Sequence, residues 1–133
     1  MPRITKGVVV AYLIFNVLIA LTLTFDPSQV DATYRGGEMT PTREFLWFSV
    51  SSLHLTLVAI TVMTLWMKRA AERRWILFAN AGFYLWDAIT EWAYWGARTG
   101  MAPMDLHVNA GVSAATGVIM IAAALYDRDP VTT

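Results

Sequence analysis

The chain contains no cysteine, only two histidines, and charged residues at just 15% of its 133 positions. The missing cysteine removes disulfides, thiol nucleophiles and thiolate metal sites, and leaves the redox compartment undetermined. Formal net charge is zero, so no basic surface offers itself to nucleic acid and no general field steers a charged ligand. There is no internal repeat and no low-complexity tract.

What the chain has instead is apolar surface. Hydrophobic residues make up 56% of it, six tryptophans raise the aromatic share to 13%, and mean hydropathy is +0.47. Those values exceed what an ordinary soluble domain of this length carries. Four segments, 7–25, 45–67, 75–97 and 106–126, stay apolar over the ~20 residues that a membrane-spanning helix needs. The first is longer than a signal-peptide core and no small-x-small cleavage site follows it, so it reads as a retained helix. Arg3, Lys6, Lys68, Arg69, Arg73, Arg74 and Arg128 flank the segments on one side, against Arg35, Arg43 and Arg98 on the other. By the positive-inside rule the first side is cytoplasmic. The expected fold class is therefore an all-α integral membrane protein of the plasma membrane. It is one four-transmembrane-helix antiparallel bundle with both termini cytoplasmic. Residues 26–44 read as a long polar loop on the outer side, either a connector or a lid.

The third segment raises the functional question. Asn80, Tyr84, Asp87, Glu91, Tyr94 and Arg98 recur at steps of four and three, which collects them on one face of a helix. In a membrane such a stripe must turn toward protein or water. At 1.5 Å rise per residue, Asp87 lies about 18 Å from the cytoplasmic end of its segment. Asn16 on the first segment and His54 on the second fall at similar mid-membrane depth, with Ser51 one turn from His54. Asn109, Ser113 and Thr116 share a face of the fourth. The inner half is barer, with Asn80, Thr61 and Thr64.

A charge at mid-span costs about 2.5–3.5 kcal/mol on insertion scales, and two carboxylates one turn apart also repel. One of the pair is thus expected to carry a proton or to bond His54. Asp87, Glu91 and His54 are the catalytic candidates, because such a pair holds an acid and a base side by side. Tyr84, Tyr94, Asn16, Asn109, Ser113, Trp86 and Asn80 are the substrate-binding candidates around them. Metal-ligand spacing patterns are absent from the sequence, and no metal or other cofactor is expected. Trp47, Trp66, Trp75 and Trp95 at segment ends read as interfacial belts, while Trp92, like Trp86, lies deeper and either lines an apolar cavity or packs.

The chemistry that suits these residues is cofactor-independent isomerisation, cyclisation or epoxide opening of a lipophilic small molecule in a mid-bundle pocket. A non-catalytic binder of a lipophilic ligand, a proton-coupled transporter and an accessory subunit of a larger membrane complex remain open beside it. Membrane lipids and the lipophilic molecule are the expected partners, nucleic acid is not, and homo-oligomerisation is left open. The topology has a direct check: a reporter fused to the C-terminus is expected to stay cytoplasmic, and its appearance outside the cell would reverse the orientation.

Overall fold

The computed structural model describes residues 1–34, 39–95 and 103–129, with the backbone alone described for residues 33, 34, 94, 95 and 103. Every regular element among the described residues is helical. Helix α1 is Arg3–Phe25, α2 is Pro27–Tyr34, α3 is Pro41–Val62, α4 is Ala70–Thr90 and α5 is Pro103–Tyr126. A 3₁₀ turn, Met63–Leu65, closes α3, and a π-helical turn, Glu91–Trp95, extends α4. Helix α1 packs along α3, α4 packs along α5, and α1 also meets α5.

Each long helix is built from the same division of faces. On α1 the buried positions are Thr5, Val9, Tyr12, Asn16, Ala20 and Leu23, a spacing of four and three that marks one stripe. On α3 the buried residues are Ser51, His54 and Thr61, joined by Thr64 in the 3₁₀ turn. All four are polar, while Phe45, Leu46, Phe48, Leu55 and Met63 point outward. In water that arrangement would be inverted, with a broad apolar surface exposed and polar groups interred. It suits a hydrocarbon surround, where the apolar faces meet lipid and the polar ones meet each other.

Three helical stretches, Arg3–Phe25, Pro41–Leu65 and Met104–Tyr126, are long and apolar enough to cross a membrane. Helix α4 is not among them. Its first-turn charges and its polar stripe depress its average, although its outward residues Trp75, Phe78, Trp86 and Ile89 are apolar.

The seam between α4 and α5 is closed by Gly117. A Cβ there would lie 2.7 Å from Leu85 Cγ and 3.1 Å from the Ala81 carbonyl, so only glycine permits the approach. At its basic end the seam is held by charge. Arg73 Nε donates to Asp127 Oδ2 at 2.7 Å and Nη2 to Oδ1 at 3.1 Å, a two-pronged pair with both side chains buried. Arg73 Nη1 also donates to the Met67 and Lys68 carbonyls. Arg74 donates to the Asp127 carbonyl, and Asp129 accepts from the Ala70 amide that starts α4. Arg73 and Arg74, read from the sequence as topology charges, thus also bind the C-terminal end of α5 to the start of α4.

The connector 26–44 departs from the expected loop. Pro27, whose fixed φ suits a first helical turn, opens the short helix α2. Asp31 on α2 is buried against α3, where Arg43 pairs with it and Trp47 Nε1 donates to Oδ1 at 2.8 Å. Trp47, assigned from the sequence to an interfacial belt, is also the anchor of α2.

Replacing Arg73 by Met would leave Asp127 buried without its counter-charge, a loss of about 3–5 kcal/mol for such pairs. Unfolding in mixed micelles should show it, while Arg128→Met on the exposed side of the same end should stay within about 0.5 kcal/mol.

Candidate functional site

Two five-residue stretches carry the interior, and they read in opposite order: YLIFN at 12–16 of α1 and NAGFY at 80–84 of α4. Each places Tyr and Asn one helical turn apart on one face. Tyr12 Oη donates to Asn80 Oδ1 at 2.8 Å, and Tyr84 Oη donates to Asn16 Oδ1 at 2.8 Å. Both bonds span 68 residues, so α1 and α4 run in the same direction with the motifs in register. The two tyrosine rings meet edge to face, centroids 5.8 Å apart, a favoured aromatic geometry.

Helix α3 joins each rung. Asn80 Nδ2 donates to Thr61 Oγ1 at 2.8 Å, and His54 Nδ1 lies 2.8 Å from Asn16 Oδ1. The spare hydrogens of the two amides go to their own helices, Asn16 to the Tyr12 carbonyl and Asn80 to the Ile76 carbonyl. One turn before His54 on α3, Ser51 Oγ donates to the Ala20 carbonyl and lies 2.7 Å from Thr24 Oγ1. Buried polar groups that satisfy each other in this way fix one arrangement of helices, because any other leaves donors or acceptors unmet in hydrocarbon.

The acidic pair sits at the end of this column away from Arg73 and Asp127. Ser113 Oγ of α5 donates to Asp87 Oδ2 at 2.8 Å, and Asp87 is half-buried. Glu91 is 7% exposed and begins the π-helical turn. Such turns recur at functional positions because they change which side chains share a face.

Several sequence expectations change here. His54 meets Asn16, and Asp87 meets Ser113; the described hydrogen bonds do not join His54 to Asp87. Trp86 does not enter the interior. It is 67% exposed, since it lies two residues from Tyr84 and therefore on the far side of α4. Trp92 points outward as well, at 64%. Thr116 bonds its own helix at Val112, and Asn109 is half-buried. The side chain of Tyr94 and all of Arg98 lie outside the described residues.

Tyr12 was not singled out in the sequence, although its spacing of four from Asn16 placed it on the same face. A tyrosine inside an apolar run reads as one more aromatic until its hydroxyl finds a partner.

The expected mid-bundle pocket is occupied, at the level of Asn16, His54 and Tyr84, by these side chains themselves. Two grooves open on opposite sides of the column. One of about 220 Å³ lies between α1 and α5 and is lined by Val8, Tyr12, Phe15, Thr116 and Met120 among others. The second, about 260 Å³, lies between α3 and α4 and is lined by Leu57, Ile60, Trp75, Ile76, Ala79 and Asn80. Tyr12 and Asn80, bonded to each other, thus each border a groove. Neither groove is lined by Asp87, Glu91 or His54. Among the described residues no three His, Asp or Glu side chains gather closely enough to hold a metal ion.

Compared with protein-family models, with curated proteins and with solved structures, the chain matches none.

The two rungs predict similar small penalties. Tyr12→Phe and Tyr84→Phe should each lower stability in mixed micelles by roughly 0.6–1.7 kcal/mol, the range of interhelical hydrogen bonds in membranes. A loss at Tyr12 with none at Tyr84 would mean that the two rungs are not equivalent.

Proposed function

We propose that the chain is a multi-pass protein of the plasma membrane with four spanning helices and cytoplasmic termini. Support for α4 as the fourth span comes from its division of faces: every polar side chain from Asn80 to Glu91 except Thr90 belongs to the inward stripe, and the rest of the surface is apolar. The carboxyls then lie in the outer half of the membrane, at the level of Ser113.

Within that frame we propose a small membrane enzyme performing cofactor-independent acid–base chemistry, an isomerisation or cyclisation, on a lipophilic molecule. The observation that carries the reading is the pairing of a half-buried Asp87, oriented by Ser113, with a buried Glu91 one turn away. With one carboxyl protonated and the other ionised, the pair would deliver a proton to one carbon and remove one from another. Asn16 bonded to Tyr84, and Asn80 bonded to Tyr12 and Thr61, would hold the helices that carry the pair. Burial of the stripe inside the isolated chain weighs against its being a docking surface for a partner subunit.

Such chemistry leaves solvent hydrogen on carbon, which allows a test without a known substrate. Purified protein incubated in D₂O with a lipid extract of its host membrane is expected to label one lipophilic species, read by mass spectrometry. Asp87→Asn and Glu91→Gln should each slow that labelling by about 10²–10⁴-fold, the usual contribution of general acid–base groups. Labelling at the wild-type rate in both variants would end the enzyme reading, and proton-dependent uptake into vesicles lost in the same variants would replace it with transport.

A further inference from the structure

The contact between Asn16 and His54 decides more than helix packing. Asn16 Nδ2 lies 2.9 Å from the Tyr12 carbonyl, which can only accept, so the amide is oriented with its nitrogen there and its oxygen inward. That oxygen can only accept in its turn. It receives the Tyr84 hydroxyl at 2.8 Å and lies 2.8 Å from His54 Nδ1, so the histidine nitrogen facing it must bring a hydrogen. The Phe83 and Tyr84 rings pack beside the imidazole, at 6.2 and 6.4 Å between centroids.

We infer that Asn16 is a positioning residue that holds neutral His54 as its Nδ1–H tautomer and so leaves Nε2 as the basic nitrogen. Asn16 thereby exchanges the substrate-contact role expected from the sequence for control of which histidine atom is available. Among the described residues Nε2 meets no hydrogen-bonding side chain.

The test uses the full chain, labelled with ¹⁵N-histidine, in lipid nanodiscs at a pH where the imidazoles are neutral. The exposed His107 is assigned by its loss in His107→Gln. The ring-nitrogen shifts of His54 are expected to report a protonated Nδ1 and a bare Nε2. Asn16→Leu should move the population toward Nε2–H, whereas Tyr84→Phe, which leaves the Asn16–His54 bond in place, should not. Wild-type protein with its hydrogen on Nε2, or an unchanged tautomer in Asn16→Leu, would overturn the inference. If Asn16→Leu does not fold, the wild-type shifts still decide, with Asn16→Asp expected to keep the Nδ1–H form. A failure of deuterium labelling at Asp87 and Glu91 would leave the tautomer result standing, so the two claims fail separately.

Discussion

The reciprocal Tyr–Asn ladder between α1 and α4 is the constraint on which the rest of the structure depends. Each rung removes a tyrosine hydroxyl and an amide from hydrocarbon by satisfying one with the other, and each recruits α3 through a further polar group. In a membrane there is little hydrophobic gain in bringing helices together, since lipid is as apolar as leucine. The requirement that buried donors and acceptors meet therefore selects the packing. Sliding α4 by one turn would break both rungs, take Asn80 away from Thr61 and separate Asp87 from Ser113, while the Asn16–His54 contact between α1 and α3 would stay.

Around that ladder the helices are closed by different means at different depths. At the basic end Arg73 and Asp127 tie α4 to α5 with a buried ion pair. Further along, Gly117 removes the side chain that would keep those helices apart. Toward the opposite end Ser113 reaches Asp87. The column thus moves from a paired charge, through neutral tyrosine, asparagine and threonine, to a carboxyl pair beside small residues. The carboxyl pair falls at the end where the packing is built from small side chains, and the buried ion pair at the end where it is built from long ones.

Much of this was legible in the chain, for physical reasons. The four-and-three spacing of Asn80, Tyr84, Asp87 and Glu91 identifies a face without any neighbour, and the cost of polarity in lipid says that the face turns inward. Depth along a helix is equally readable, which is why Asn16 and His54 were placed at one level. Azimuth between helices is not. Depth alone put Trp86 beside the carboxyls, while its position on the far side of α4 sends it outward. Nor does spacing say which polar groups bond, so the partnership of His54 with Asn16 and the part played by Tyr12 appear only once the helices are assembled. Helix α2 was hidden for another reason: eight residues with little periodicity are held by contacts of Asp31 with Arg43 and Trp47, not by local preference.

The central claim is that α4 turns its polar stripe toward α1 and its tryptophan face toward lipid. Because the chain has no cysteine, single cysteines carrying a nitroxide can be introduced along 78–90, and their collision with oxygen dissolved in the bilayer measured by spin resonance. Accessibility should rise and fall with the helical period, high at Phe78, Trp86 and Ile89 and low at Ala81 and Ala88. Maxima at Ala81 and Ala88, or no periodicity at all, would contradict the inward stripe and with it the ladder.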